Sequence, residues 1–140
     1  MEIAMVVSRR ANCCRRQVAA VIVKDHRIIS TGYNGTPRGV KNCCEGGCAR
    51  CAGDAPSGAG LGDCICSHAE ENAITQAAYH GIQVRGATLY CTLSPCLQCA
   101  RMIINAGICE VVYEDVYEFS QQTRALFRAA GVKCRRFRRA

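Results

Sequence analysis

Two short patterns in the sequence combine the residue types of a catalytic zinc site. His68 and Glu70 form a His-x-Glu pattern, and Cys96 and Cys99 belong to a Pro-Cys-x-x-Cys pattern. Each pattern stands at the start of a predicted helix, where cysteines three residues apart face the same way and backbone N–H groups stabilise thiolates. Zinc ligation by His68, Cys96 and Cys99 leaves a fourth position open for water, as catalytic sites do. Glu70 is then placed to move protons without binding the metal.

Each pattern alone also fits a simpler interpretation. Cys96 and Cys99 are equally typical of a redox pair or of half a structural zinc site, and His68 of a hydrogen-bonding residue at a helix start. Their occurrence on successive helices favours the catalytic interpretation, because a structural zinc site would not explain Glu70. Bound zinc lowers the pKa of water to about 7, which provides hydroxide at neutral pH. The combined pattern is the signature of zinc-dependent nucleobase deaminases.

Hydrophobic periodicity predicts the elements that position these residues. Apolar runs at residues 18–23 and 27–33 indicate a β-hairpin, preceded by a short helix within residues 3–10. From residue 68 onward, helices and strands alternate, which implies parallel strands with right-handed crossovers. The predicted helices cover residues 69–80, 96–105 and 118–130, and the predicted strands cover residues 87–92, 110–113 and 132–136. We therefore expect an α/β fold, a three-layer α/β/α sandwich with a five-stranded mixed sheet, in a single domain over residues 1–140.

A loop over residues 34–66 has no such periodicity. It is rich in glycine and contains six cysteines, with Cys-x-x-Cys and Cys-x-Cys spacings. A loop of this length inside a compact domain needs something other than a core to hold it, and clustered cysteines indicate structural zinc. The candidate ligands in and beside the loop are Cys13, Cys43, Cys48, Cys51, Cys64 and Cys66. Their number would permit a second ion, and the sequence leaves open which thiolates share one.

Three segments together resemble the deoxycytidylate deaminase family. They are CSHAEENAI at residues 66–74, LSPCLQC at 93–99 and GYNG at 32–35. The cysteine-rich segment NCCEGGCARC at 42–51 is similar to the branch found in fungi, other lower eukaryotes and their viruses. The resemblance covers almost the whole chain and implies a cytidine deaminase-like fold.

By this resemblance, the protein converts dCMP to dUMP and ammonia, which supplies dUMP for dTMP synthesis. His68, Cys96 and Cys99 would hold the zinc, a zinc-activated hydroxide would attack C4 of cytosine, and Glu70 would shuttle protons. Asn34, Ala69 and Ser94 would contact the substrate. Asn34 also fits a turn, because Asn-Gly readily supplies positive φ. The resemblance also implies a structural site made of Cys13, Cys43 and one or two of Cys48, Cys51 and Cys64.

The resemblance extends to regulation and assembly. Residues Gly32, Tyr33, Asn34 and Gly35 match an effector site at which dCTP activates and dTTP inhibits, and the family commonly forms hexamers. The sequence does not decide whether this control is retained, or whether dCTP is also a substrate. Arg38, Lys41 and Arg50 are candidates for binding the substrate phosphate.

The net charge of +7 belongs to the C-terminal tail. Residues 124–140 hold six arginines, one lysine and no acidic residue, whereas residues 1–123 hold 11 basic and 11 acidic side chains. A basic tail favours a rival function, a polynucleotide deaminase acting on tRNA or single-stranded DNA. However, aromatic residues make up only 6% of the chain, so the stacking residues of single-strand grooves are lacking. We expect a mononucleotide substrate, with a non-enzymatic zinc module as a third hypothesis if Glu70 is idle.

The cysteine content indicates the cellular compartment. Thirteen cysteines in 140 residues approach the composition of secreted disulfide scaffolds. Residues 1–7 are too short for the apolar region of a signal peptide, and no apolar run is long enough to span a membrane. We therefore expect a cytoplasmic protein whose cysteines bind metal.

Overall fold

A computed structural model describes residues 1–116 and 121–139. One mixed sheet has the strand order β2-β1-β3-β4-β5. β1 is antiparallel to β2 and β3, whereas β4 is parallel to both β3 and β5. The strands are β1 (Ala19–Lys24), β2 (Arg27–Tyr33), β3 (Thr88–Leu93), β4 (Glu110–Asp115) and β5 (Lys133–Arg136). The predicted five-stranded α/β sheet is confirmed.

Four of the five helices agree with the periodicity within one or two residues at the ends that the structure describes, whereas α2 was not predicted. They are α1 (Glu2–Ser8), α2 (Ala49–Ala52), α3 (Ala69–Tyr79), α4 (Leu97–Asn105) and α5 (Gln121–Ala129). The predicted start of the last helix at residue 118 lies outside the described residues. In the loop over residues 34–66, regular structure is limited to α2 and two short 3-10 turns, Cys43–Glu45 and Leu61–Asp63.

The main core lies between the sheet and helices α3, α4 and α5. Alternate residues of β1, Ala20 and Ile22, belong to this core together with Leu89 of β3 and Phe127 of α5. The intervening residues of β1 are also buried, and α1 lies against β1, β2 and β3. Burial on both faces explains why β1 is an almost uninterrupted apolar run.

Two backbone features fix how α3 meets the hairpin. Asp25 and His26 have positive φ values of 51° and 62°, which gives the tight turn between β1 and β2. A side chain at Gly32 would overlap the backbone of Ala69 and Ala73. Gly32 therefore lets the first turn of α3 lie directly on β2.

No described helix is long and apolar enough to cross a membrane.

Candidate catalytic site and sulfur cluster

His68 and Cys96 occupy equivalent positions in the fold, each as the residue that precedes a helix. His68 precedes α3 and Cys96 precedes α4, and both have extended backbone angles there. The His68 N–H donates to Glu71 Oε2 at 3.3 Å, and the Cys99 N–H donates to Cys96 Sγ at 3.5 Å. These contacts satisfy backbone donors of the first helical turns. The strand β3 between the helices brings the two helix starts side by side.

The side chains of His68, Cys96 and Cys99 converge on one point. His68 Nδ1 lies 3.5 Å from Cys96 Sγ and 3.4 Å from Cys99 Sγ. In a tetrahedral zinc site, a nitrogen ligand and a sulfur ligand are separated by about 3.6 Å, given bond lengths of about 2.1 and 2.3 Å. The three donor atoms therefore fit one zinc ion with little movement.

The three candidate donors share protons. The hydrogen bond with Cys99 lowers the pKa of Cys96 to about 4, against the effect of burial. The hydrogen bond with Cys96 raises the pKa of His68 to about 9, while the hydrogen bond with Cys96, together with burial, raises the pKa of Cys99. Cys96 is therefore a thiolate, His68 an imidazolium and Cys99 a thiol. A bound divalent cation would take the place of the protons on His68 and Cys99.

Glu70 is the buried acid beside these ligands. Its side chain is only 4% exposed, and burial raises its pKa to about 6. Because Glu70 lies two residues after His68 in the first turn of α3, its carboxyl group is near the ligands but is not one of the three converging donors. A buried carboxyl group with a raised pKa is typical of a proton-transfer residue.

One cavity contains most of the residues that were predicted from the sequence to contact the substrate or carry the chemistry. His68, Glu70 and Cys96 line it together with Asn34, Ala69 and Ser94. The Ser94 N–H donates to Asp115 O at 2.8 Å, which ties the end of β3 to the end of β4. The structure thus brings the predicted substrate-binding residues and the predicted catalytic residues into one space.

The Asn34 side chain holds the segment that leads into β1. Its Oδ1 accepts from the Val18 N–H and its Nδ2 donates to Arg16 O, both at 2.8 Å. Asp25 and His26 are the non-glycine residues with positive φ among the described residues, so the Asn34 backbone does not have the expected turn conformation. Asn34 therefore shapes the cavity wall through its side chain.

The candidate phosphate ligands are dispersed. Arg50 lines the cavity, but Arg38 lies over the Tyr79 ring, 4.2 Å from its centroid, in a different cavity. Arg15 and Arg16 also line the catalytic cavity, and neither was predicted from the sequence. Their position directly after Cys13 and Cys14, on the segment that enters β1, was the signal that could have found them.

The four residues of the predicted effector site face two different spaces. Asn34 lines the catalytic cavity, whereas Gly32, Tyr33 and Gly35 line a second cavity. Gly35 and Ser67 exchange backbone hydrogen bonds of 3.2 and 2.8 Å. This bridge connects the second cavity to the residue that precedes His68.

The predicted structural zinc ligands also converge, in a group that we call the sulfur cluster. Its sulfurs come from separate segments of the chain and are all free thiols. The distances between sulfurs are 3.9 Å for Cys13 and Cys51, 3.9 Å for Cys48 and Cys64, and 3.7 Å for Cys51 and Cys64. The cluster consists of Cys13, Cys43, Cys48, Cys51, Cys64 and Cys66.

The sulfur cluster forms a small core of its own, separate from the main core. Burial, together with the neighbouring sulfurs, raises the pKa of Cys51 and of Cys66. Around the cluster, the Arg15 guanidinium donates to the carbonyls of Cys51, Gly53 and Ala55. The loop, all of whose residues the structure describes, is thus organised around sulfur atoms and an arginine, with no large aliphatic side chain buried in its centre.

Several arginines of the C-terminal tail are bound to acidic residues of β4. Arg135 Nε lies 2.7 Å from Glu110 Oε1, and Arg139 NH2 lies 2.7 Å from Glu114 Oε1. Arg136 donates to Glu114 O at 2.9 Å. Part of the basic tail is therefore used within the chain.

Comparison with known proteins gives consistent results. The family profile of the cytidine and deoxycytidylate deaminase zinc-binding region matches residues 1–115. The chain is 46% identical over 137 residues to the deoxycytidylate deaminase of Schizosaccharomyces pombe, and 44% identical over 138 residues to that of Saccharomyces cerevisiae. Each alignment covers 98% of this chain but only 42% and 43% of the respective fungal protein. The chain thus spans less than half the length of these relatives.

A solved structure matches at close to full length on both sides. The dCMP deaminase from cyanophage S-TIM5, in complex with dCMP and dUMP, superimposes with a TM-score of 0.78 at 32% sequence identity. The superposition covers 97% of this chain and 92% of that chain.

Proposed function

The chain belongs to the cytidine and deoxycytidylate deaminase family, and from this premise we propose that it hydrolyses dCMP to dUMP and ammonia. The observation that carries the proposal is the convergence of three zinc donors and a buried carboxyl group in one cavity. The phage relative, solved with dCMP and dUMP, supports the choice of substrate. The reaction adds water across C4 and N3 of cytosine and then expels the 4-amino group as ammonia.

His68, Cys96 and Cys99 would hold the catalytic zinc, because their donor atoms have the separations of a tetrahedral site. Zinc bound there supplies a nucleophile at neutral pH by lowering the pKa of water to about 7. The helix starts that carry the ligands are fixed by β3 and by the core beneath α3 and α4. The protein thereby holds the site in place before substrate binds, which avoids reorganisation during the reaction.

Glu70 would carry the protons. Its carboxylate would accept the proton released from water and pass it to N3 of cytosine. It would then take the proton of the new C4 hydroxyl group and deliver it to the departing amine as the carbonyl forms. Burial at 4% exposure excludes bulk water from the carboxyl group, so protons pass between Glu70 and the reacting atoms. Asn34, Ala69 and Ser94 would orient the nucleoside in the cavity that they line.

Arg16 is the proposed ligand of the substrate phosphate. It lines the cavity on the segment that the Asn34 side chain fixes through Arg16 O. An arginine at this place can recognise the phosphate of dCMP in the same cavity that receives the base. Arg15 and Arg50 also line the cavity, and their guanidinium groups donate to the carbonyls of Cys51 and Ala59, contacts that support the loop.

A substrate panel tests the proposed function. We expect ammonia release from dCMP to exceed release from cytidine, deoxycytidine and a cytosine-containing oligonucleotide, with dCTP measured in parallel. Preferential deamination of the oligonucleotide, or tight binding of single strands at physiological salt, would favour the polynucleotide hypothesis. The pairing of Arg135 and Arg139 with β4 carboxylates already reduces the charge available to a phosphate backbone.

The sulfur cluster would hold structural zinc. Thiolates select zinc among the available divalent ions, and a loop without an aliphatic core needs an additional source of folding free energy. Free thiols used as metal ligands require a reducing compartment, which supports a cytoplasmic location.

Effector control is proposed for the second cavity. Gly32, Tyr33 and Gly35 line it, and the hydrogen bonds between Gly35 and Ser67 provide a direct route to the start of α3. We expect dCTP to increase and dTTP to decrease the rate at low dCMP concentration, in a homo-oligomer whose proposed state is a hexamer. Rate measurements with each nucleotide, together with sedimentation analysis, test both points.

A further inference from the structure

The sulfur cluster contains two overlapping groups of four cysteines. In each group, all four sulfur atoms lie within 4.8 Å of one another. One group is Cys13, Cys43, Cys51 and Cys66, and the other is Cys48, Cys51, Cys64 and Cys66. Cys51 and Cys66 therefore belong to both groups.

We propose that the sulfur cluster is a binuclear zinc centre in which the thiolates of Cys51 and Cys66 bridge two ions. Cys13 and Cys43 complete the coordination of the first ion, and Cys48 and Cys64 complete that of the second. Four terminal thiolates and two bridging thiolates, each counted twice, provide eight bonds. Two tetrahedral zinc ions require the same number.

The distances between sulfurs agree with this arrangement. Two sulfurs bound to the same tetrahedral zinc are separated by about 3.8 Å, given a Zn–S bond of about 2.3 Å. The observed separations within the groups are 3.7 Å for Cys51 and Cys64 and 3.9 Å for both Cys13–Cys51 and Cys48–Cys64. A disulfide would bring two sulfurs to about 2.05 Å, so these contacts are not disulfides, and their lengths match the edges of coordination tetrahedra.

A single ion would leave part of the cluster unexplained. If one zinc occupied the first group, Cys48 and Cys64 would remain as thiols against the ligands of that ion. Cys48 is fully buried at 0% exposure, and its sulfur and that of Cys51 both contact Cys64. The second ion gives these two sulfurs a partner and leaves no thiol of the cluster unused.

The net charge of the centre is compatible with two ions. Six thiolates carry six negative charges and two zinc ions carry four positive charges, so the filled centre has a net charge of −2, the same as one zinc with four thiolates. Six thiol protons are released to solvent as the ions bind. The Arg15 guanidinium, bound to Cys51 O at 2.8 Å, lies beside the centre and offsets part of the remaining charge.

Cys14 and Cys44 lie outside the proposed centre. Both are exposed, and neither belongs to either group of four. Cys14 Sγ lies 3.8 Å from Cys43 Sγ and donates to Cys51 O at 3.5 Å. Cys14 is therefore a neighbour of the cluster with a hydrogen-bonding role, and it provides a matched control.

Cadmium NMR on the full chain tests the bridging directly. We expect ¹¹³Cd-substituted protein to give two resonances in the range of four-sulfur coordination, with a scalar coupling between them carried by the shared thiolates. The proposed catalytic site has mixed nitrogen and sulfur ligands and would give a separate resonance. One four-sulfur resonance, or two without coupling, would overturn the binuclear centre.

Zinc counting in variants gives a second test. Native mass spectrometry should find three zinc ions per wild-type chain and three in Cys14→Ser. Cys48→Ser should retain one ion in the cluster, whereas Cys51→Ser should lose both because it removes a ligand from each. Loss of fewer than two ions from the cluster in Cys51→Ser, or iron in place of zinc, would contradict the proposal. The binuclear centre does not depend on the proposed deaminase activity, because the cadmium coupling and the ions lost in Cys48→Ser and Cys51→Ser concern the cluster alone.

Discussion

The proposed catalytic site and the sulfur cluster line the same cavity but are built in opposite ways. The catalytic ligands stand at the starts of α3 and α4, so the sheet and the main core determine their positions. The cluster ligands come from loop segments and short turns whose positions depend on the sulfurs themselves. In the first region the folded sheet and helices position the proposed metal ligands. In the second region we expect metal binding to stabilise the folded conformation of the loop.

Removing zinc should separate the two regions most strongly. Structural zinc contributes about 10–16 kcal/mol in zinc-finger peptides, which is comparable to the whole stability of a domain, about 5–15 kcal/mol. We therefore expect chelation to abolish activity and to expose the backbone amides of residues 34–66 to hydrogen exchange. Amides of β1, β3 and β4 should stay protected, because the main core holds them.

Hydrogen exchange followed by mass spectrometry measures this difference for each segment. The Glu70→Gln protein with its zinc retained serves as the inactive, folded control. Protection of residues 34–66 in zinc-free protein would show that the loop folds without metal, and the contrast between the regions would then be lost.

Replacing Glu70 should lower the rate of deamination and leave both regions folded. We expect Glu70→Gln to lower kcat for dCMP by about 10²- to 10⁴-fold, the usual contribution of a general acid and base. Zinc content and Tm should remain those of the wild type, because the amide has nearly the same shape and is not a ligand.

Glu71→Gln is the matched control for this variant. Glu71 is the adjacent acid and accepts a hydrogen bond from the His68 N–H, a contact that glutamine can also make. Its activity should stay near that of the wild type. Wild-type activity in Glu70→Gln would exclude the proposed proton transfer and restore the hypothesis of a non-enzymatic zinc module.

Arg16 lines the cavity between the two regions. Its replacement therefore tests whether this cavity wall binds the substrate phosphate. Loss of a charged hydrogen bond costs about 1.5–3 kcal/mol, and we expect Arg16→Ala to raise the KM for dCMP about 10-fold or more. The KM for deoxycytidine, which lacks the phosphate, should not change. Arg38→Ala, in the second cavity, is the control, and equal effects on both substrates would exclude Arg16 as the phosphate ligand.

The catalytic region could be predicted well from the sequence, and the sulfur cluster only in outline. The proposed ligands His68, Cys96 and Cys99 lie at fixed offsets from helix starts, so the local spacing of the sequence was enough to predict that they converge. The helices themselves were found within a few residues, because apolar periodicity reports burial against the sheet.

The cysteine content predicted that a cluster exists, but the sequence did not predict which sulfurs lie next to each other. Cys13 and Cys51 are 38 residues apart and their sulfurs lie 3.9 Å from each other, a contact that depends on closure of the whole loop. The local periodicity of the sequence gives no information about how this loop closes. Arg15 and Arg16 were missed for the same reason, since they reach the cavity only when the loop folds over the start of β1.

The smallest expected effect concerns Gly32, which joins the catalytic region to the hairpin. A Cβ at this position would overlap Ala69 O and Ala73 N in the first turns of α3, so α3 must move. We expect Gly32→Ala to cost about 1–3 kcal/mol, as overpacking usually does, and to lower kcat because His68 and Glu70 move with the helix. Gly62→Ala in the loop is the control, since a Cβ there would have no neighbouring atom within 4 Å. Thermal unfolding and dCMP kinetics on both variants measure the difference, and equal Tm values would mean that the contact between α3 and β2 is not what fixes the catalytic site.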